Sequence, residues 1–386
     1  MILFKPGVDM ATRETVLANM AGTDVRSFCA KSGALPREAF DLAGFLLENT
    51  RIGFLSEKLS SAESHGIRAR MSVDDHIDLV RPEYYYRALH CFEDSDERTW
   101  GIDAVGALTS PFTGAGIKVA ILDTGLDLHH PDFVGRTIVS ESFVDGEQAQ
   151  DGQGHGTHCA GTAVGGVTSD GGVRYGVAPG ADLYVGKVLD DRGSGRERDI
   201  LTGMVWAIEQ RCEIISMSLG GAVQVGETYN PEYEELGRMA LDGGSLIVAA
   251  AGNESARASG YVAPVSSPAN CPSIMAVAAV DQALAVAEFS SGEINEDGGE
   301  VNIAGPGVGV FSSVPRPQLY NTYSGTSMAC PHVAGVAALL AEEDSSVRGQ
   351  ALWDKLVQTA RPLSGSQEDV GVGLATAPQG GTSGMV

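Results

Sequence analysis

Along the first eighty residues the spacing of apolar positions changes several times. Residues 2–5 form a short apolar run, and residues 10–20 place Val16, Leu17 and Met20 on one helical face. Residues 36–48 set Phe40, Leu42, Ala43, Leu46 and Leu47 near helical spacing, which predicts a second helix. Residues 51–55 and 76–80 read as strands, so the pattern predicts a small α+β unit. Residues 83–100 are charged and lack any period, which predicts an exposed linker of the kind proteases cut. After Trp100 the texture changes. Runs of β-branched and small apolar residues at 119–122, 183–188, 214–217, 246–250 and 274–280 alternate with helical stretches at 155–164, 199–210, 233–241 and 328–342. That alternation predicts an α/β fold of parallel β-α-β units with right-handed crossovers. In such a sheet the working residues gather at the carboxyl ends of the strands.

Composition narrows the picture. With 386 residues, 43% hydrophobic and 20% charged, the chain reads as a folded protein rather than a disordered or collagenous one. Its longest apolar stretches, 245–251 and 333–341, fall well short of the ~20 residues a membrane-spanning helix needs. The 26 basic side chains face 50 acidic ones, a net charge of −24, so neither nucleic acid nor an anionic membrane is an expected partner. The excess is uneven: residues 1–92 carry 11 basic and 12 acidic side chains, the remainder 15 and 38. This step predicts a boundary near residue 92, with domains at 1–92 and 93–386. The start, MILFKPGVD, has neither a basic leader with an apolar run nor a small-residue cleavage site, so a cytoplasmic location or non-classical export is the expectation. The six cysteines show no C-x-x-C spacing and read as buried thiols outside disulfides.

Three punctuated loops carry candidate chemistry. The apolar run 119–122 ends on Asp123-Thr124-Gly125, where a sheet would hold the carboxylate rigidly at a cleft. Gly154-His155-Gly156-Thr157-His158 offers an imidazole flanked by glycines that permit close backbone approach. His155 and His158 with Asp123 could also serve a metal, although the further ligands of such a site are missing and His158 reads as structural. Ser324-Gly325-Thr326-Ser327 opens a small-residue helix, placing a serine among unpaired N–H donors. Pro331 should kink that helix or end its first turn. A serine needs a base to take its proton, and the base needs a carboxylate to orient it. The chain supplies these in the order Asp, His, Ser, the order of subtilisin rather than of chymotrypsin or the α/β-hydrolases.

The segments VAILDTGLDLHHPDF, GHGTHCAGT and SGTSMACPHVAG closely resemble the catalytic blocks of the subtilisin and proteinase K family of serine endopeptidases. The supporting segments IISMSLGG, IVAAAGNES and CPSIMAVAAVD follow in family order. The resemblance implies a subtilisin-like three-layer domain with a mostly parallel sheet, preceded by a small α+β propeptide that acts as an intramolecular inhibitor. It implies Asp123 as orienting carboxylate, His155 as general base, Ser327 as nucleophile and Asn253 as oxyanion donor. Peptide or protein substrates would pair with Gly193, Ser194, Gly195 on one side and Ser218, Leu219, Gly220 on the other. Ala250, Ala251 and Gly252 would wall a pocket for a large apolar or aromatic residue before the cut. Glu197, at a position often aromatic in the family, implies a bias toward basic residues at the fourth subsite, and Glu227, Glu232, Glu234 and Glu235 add acidity to a long neighbouring loop. No cofactor is expected for catalysis; structural calcium is allowed for, with Asp132 matching a family ligand, while the partner loop at 168–173 aligns poorly and Asn302 replaces an aspartate. A monomer is expected. Rival readings are a processing protease for one partner peptide and a catalytically silent binding module.

Overall fold

The structure, a computed structural model, describes residues 1–21, 26–28, 44–47, 50–55, 75–80, 85–88, 92–93 and 99–380. Its centre is a seven-stranded sheet in the order Ile303–Pro306, Met275–Val280, Leu246–Ala250, Ile214–Met217, Lys118–Asp123, Asp182–Lys187, Ile138–Ser142. Every pairing within it is parallel. Strand Lys118–Asp123 explains why the runs read as continuously apolar. Val119 and Ile121 join one core, under helices His155–Val164 and Thr326–Glu343, while Ala120 and Leu122 join the other, under Glu197–Glu209 and Pro231–Gly243. Both faces are covered, giving the three-layer α/β arrangement. No helix among the described residues is long and apolar enough to cross a membrane. Cys159, Cys212, Cys271 and Cys330 are buried thiols; Cys29 and Cys91 lie outside the described residues.

Helix Thr326–Glu343 continues past Pro331 instead of ending there. The missing proline N–H would have bonded the Ser327 carbonyl one turn back. That carbonyl instead accepts from Ser218 Oγ at 2.8 Å and Cys159 Sγ at 3.5 Å, so the helix continues with no orphaned acceptor at this point.

The N-terminal residues form a separate five-stranded sheet, ordered Arg26–Phe28, Gly44–Leu47, Ile52–Leu55, Ile2–Phe4, Ile77–Val80, with helix Met10–Ala21. Residues 44–47 are therefore a strand, not the end of the helix predicted over 36–48; residues 36–43 lie outside the described residues. A four-residue apolar run carries too little period to separate helix from strand, and pairing with Ile52–Leu55 decides it. One face of this sheet, through Ile2, Phe4, Leu46 and Ile77, packs on Val16 and Leu17 of its own helix. The other face, through Met1, Leu3, Ile52 and Phe54, belongs to the apolar cluster that includes Tyr233 and Leu236 of the larger domain. Arg51 fixes the contact: its Nε and Nη2 donate to the two oxygens of Glu235, each at 2.8 Å.

The stretch predicted as an unstructured linker holds two strands, Tyr85–Ala88 and Phe92–Glu93. A segment with no apolar period of its own becomes a strand where neighbouring edges supply the hydrogen bonds. Tyr85–Ala88 lies antiparallel between Ser194–Arg196 and Leu219–Gly220, and Phe92–Glu93 pairs with Tyr320–Ser324.

Candidate active site

Asp123 ends its strand with a side chain 1% exposed, and its carboxylate accepts from Thr124 N at 2.7 Å. His155 Nδ1 lies 2.8 and 3.0 Å from the two carboxylate oxygens. Facing an acceptor-only carboxylate, Nδ1 carries the ring proton, which leaves Nε2 as the basic nitrogen. Two glycines permit this approach. Gly125 sits at φ +106°, and a Cβ on Gly156 would lie 2.3 Å from the Gly125 carbonyl oxygen. The turn that carries His155 is held by Asp151, whose Oδ1 accepts from Thr124 Oγ1, Gln153 N and Gly154 N, while Oδ2 accepts from Thr157 N and Oγ1.

Ser327 is the second residue of its helix and is fully buried. Its Oγ donates to the Ser218 carbonyl at 3.4 Å. Cys159 joins the histidine and serine segments, its Sγ 3.8 Å from His155 Nδ1 and 3.5 Å from the Ser327 carbonyl oxygen. Burial pushes the Cys159 thiol up to about 12, so it stays protonated near neutrality. Asp123, His155 and Cys159 are the one set of potential metal donors that converge among the described residues, within 4.8 Å. A neutral thiol and a carboxylate already turned to the imidazole make a poor ligand set. His158 is not part of it: Nε2 is 3.0 Å from the Val310 carbonyl oxygen, the ring stacks on Tyr323, and burial followed by the His155 charge lowers it to about 3.

Asn253 stands beside the serine. Its Oδ1 accepts from Thr326 N at 2.8 Å and Thr326 Oγ1 at 2.9 Å. A backbone N–H can only donate, so the side-chain oxygen is fixed toward Thr326 and the amide NH₂ is turned the other way. Ala250 and Ala251 are fully buried, and Gly252 has φ +118°. Sequence reasoning missed Glu254, whose Oε2 accepts from Asn253 N at 2.8 Å, Ser266 Oγ at 3.1 Å and Ser291 Oγ at 3.4 Å, giving this wall a polar end. It also missed Asp151, for which the amides two and three residues on were the available signal, an Asx turn before a helix.

The predicted substrate edges flank the Tyr85–Ala88 strand. A turn at Asp190 orients one edge: Gly193 N donates to the Asp190 carbonyl and Ser194 N to Asp190 Oδ1. Gly195 pairs with Tyr86, Ser194 and Gly220 with Arg87, and Leu219 with Ala88. Glu197, the first residue of the next helix, is fully buried. The other acids singled out do not form a solvent-facing rim. Glu232 is fully buried, Glu234 accepts from Ser273 N and Oγ, Glu235 holds Arg51, and Glu227 accepts from Gln224 N. Three of them sit in or near the first helical turn, where the helix dipole favours a carboxylate.

Asp132 does not fit a calcium ion. Its Oδ2 accepts from Tyr175 Oη at 2.6 Å and its Oδ1 from Tyr320 Oη at 2.9 Å. The 168–173 loop turns inward on itself, with Thr168 N donating to the Val173 carbonyl and Thr168 Oγ1 to Asp170, and Ser169 N donates to Tyr320 Oη. Calcium needs six to eight oxygens, and one carboxylate capped by two phenols falls far short. Asn302 Oδ1 is likewise taken, by Ala276 N at 2.7 Å.

An aspartate at a strand end, a histidine opening a helix and a serine opening another, on a parallel sheet with helices on both faces, define the class of subtilisin-like serine hydrolases. The model of the subtilase family matches residues 114–374, and the chain belongs to that family. It is 41% identical over 257 residues to subtilisin E of Bacillus subtilis (strain 168), covering 66% of this chain and 63% of that protein. It is 38% identical over 271 residues to an intracellular serine protease of Paenibacillus polymyxa, covering 68% of this chain and 79% of that one. Among solved structures it resembles sphericase, with a TM-score of 0.63 and 36% identity over 72% of this chain and 98% of that chain.

Proposed function

We propose that the chain is a serine endopeptidase that acts on peptides and proteins and is made as a self-inhibited precursor. In this reading Ser327 Oγ attacks the scissile carbonyl, His155 Nε2 takes the serine proton and passes it to the leaving amine, and Asp123 stabilises the imidazolium. The Asn253 amide and the Ser327 N–H hold the oxyanion. Water then releases the acyl group by the reverse proton path. The observation that carries the reading is the Asp123 to His155 pair at 2.8 Å beside a buried serine at a helix N-terminus. Support for self-inhibition is the strand Tyr85–Ala88, which fills the gap between the two substrate edges. Residues 1–92 then act as propeptide and 93–386 as enzyme, with cleavage between Tyr86 and Glu93.

An apolar or aromatic residue before the cut suits the Ala250, Ala251 and Gly252 walls. At the fourth subsite the proposal is a preference for basic residues, drawn by Glu197; equal cleavage of peptides carrying Lys, Glu or Phe there overturns it. The general test is fluorophosphonate labelling of the processed protein together with a casein digest. Labelling at Ser327 and many casein fragments are expected. Absence of labelling removes the endopeptidase reading, and labelling with no casein cleavage replaces it with a protease dedicated to one peptide.

A further inference from the structure

Lys187 ends the strand beside the one that ends on Asp123, and the two residues are register partners. Ile121 and Val185, two residues back on each strand, share the core under helix His155–Val164, so Asp123 and Lys187 leave the sheet on that same face. The Lys187 side chain is fully buried, yet its carboxylate partners, Glu147 at 3.1 Å and Asp191 at 2.7 Å, are 30% and 50% exposed. Its Nζ also donates to the Thr124 carbonyl at 2.6 Å. Thr124 bridges the two segments that supply the catalytic pair. Its N donates to Asp123 Oδ1 at 2.7 Å, and its Oγ1 accepts from Gly156 N at 2.8 Å, next to His155. The ammonium holds the remaining polar group of that residue, its carbonyl. From the other side Asp191 Oδ1, already bonded to Lys187, accepts from Gly152 N at 3.1 Å in the turn that leads to His155. Asp191 also follows Asp190, whose carbonyl and Oδ1 shape the substrate edge at Gly193 and Ser194. A buried ion pair adds little to stability, because desolvation offsets the attraction. An ammonium drawn wholly out of water here, toward carboxylates left at the surface, is explained by what it aligns.

We propose that Lys187 is a positioning residue for the reaction, a buried ammonium that sets Asp123, the turn carrying His155 and the substrate edge against one another; the assignment rests on the endopeptidase reading above. Lys187 touches no reacting atom and acts through Thr124 and Asp191. Its fixed positive charge also opposes the charge that His155 gains on taking the serine proton, so loss of that charge makes the imidazole more basic. Among the described residues, the titratable groups around His155 are Asp123 at Nδ1, Asp151 in the preceding turn, and Cys159 and His158 on its own helix. Burial keeps the last two neutral in the working range, the thiol raised to about 12 and the imidazole lowered to about 3. The two carboxylates and the ammonium are then the charges that set the basicity of His155.

The test compares Lys187→Met and Asp191→Ala with wild type, each expressed as the full chain and assayed on a chromogenic peptide with an apolar residue before the cut. Rates are normalised to the sites that a fluorophosphonate labels. Lys187→Met should lower kcat by roughly 10- to 100-fold and change KM by less than about threefold, the signature of displaced catalytic groups rather than lost binding. The acid limb of its kcat/KM profile should move to higher pH, because the imidazole has lost an opposing charge. Asp191→Ala cuts the same link to Gly152 from a half-exposed position, so it carries the test even where Lys187→Met does not fold. It should lower kcat by roughly 3- to 10-fold and move the acid limb the opposite way, to lower pH, since it leaves the ammonium and removes a carboxylate. Opposite shifts from two variants that both slow the reaction are not the mark of a loosened fold. A kcat within twofold of wild type in Asp191→Ala, or in a folded Lys187→Met, overturns the assignment, as do limbs that stay in place or a loss confined to KM. Wild type that neither labels nor turns over the peptide overturns the endopeptidase reading itself.

Discussion

Asp123 and Asp132 stand close in sequence, and each is gripped through both oxygens, yet one is set for chemistry and the other is closed off. Asp123 meets an imidazole, the one side chain whose remaining nitrogen gains and loses a proton near neutrality. Asp132 meets two phenols. Burial, with the Asp132 carboxylate added to it, pushes Tyr175 far above the usual tyrosine range, and burial raises Tyr320 as well, so neither ionises under working conditions. The contrast teaches that what donates to a carboxylate decides its role more than its burial does.

Four substitutions break or sharpen this contrast. The largest effect belongs to Asp123→Asn, which fixes the wrong ring tautomer: kcat on a chromogenic peptide should fall by about 10⁴-fold. Asn253→Ala should lower kcat by roughly 10²–10³-fold with little change in KM, a magnitude carried over from the oxyanion asparagine of a subtilisin rather than derived from these distances. Tyr320→Phe removes one donor from Asp132 and the acceptor of the exposed Ser169 N, which water can replace, a cost of about 0.5–1.5 kcal/mol. In a domain of this size that lowers Tm by roughly 1–6 °C. Its kcat/KM should remain within twofold of wild type, and a chelator should not move the Tm of either protein.

The smallest effect concerns a third carboxylate, Glu235, which answers neither to a histidine nor to phenols but to Arg51 of the N-terminal sheet. The bonds from Arg51 hold its pKa below the usual glutamate value against the opposing effect of burial. A carboxyl whose folded pKa is depressed contributes stability above its unfolded pKa and loses it as pH falls through the folded one. Glu235→Gln in the Ser327→Ala chain should therefore lower the Tm of the N-terminal sheet by a few degrees at pH 7. The difference should vanish in strong acid; a difference that is unchanged at pH 2–3 would show that the ion pair is not its source.

The strands that the apolar pattern revealed and those it hid differ in a physical way. The five read from sequence form the interior of the parallel sheet, buried on both faces and so apolar without interruption. The two it missed, Ile138–Ser142 and Ile303–Pro306, are the two edges. The first is only partly buried along most of its length, and the second is short and contains Gly305 and Pro306. Asp123, His155, Asn253 and Ser327 were legible because each sits among glycines and small residues that make its loop distinctive. Glu254 was not, since Ser266 and Ser291 come to it from other loops, and neither was Asp151, although four of its five donors belong to its own turn at 153–157. Nor could sequence show that Tyr85–Ala88 is a strand, because both of its hydrogen-bonding partners belong to the other domain.

The place taken by Tyr85–Ala88 has an edge on each side, so whatever replaces it must offer backbone hydrogen bonds in both directions. A helix, with its N–H and C=O groups already paired, cannot do so, and neither can a strand still fixed within its own sheet. A folded protein must first surrender several residues of local structure, and the cost of that opening enters its rate of cleavage before any side chain is read. On the proposed endopeptidase reading, the chain would thus sample loose segments of other proteins: natively unfolded tails, loop tips, and chains that heat or oxidation has begun to open.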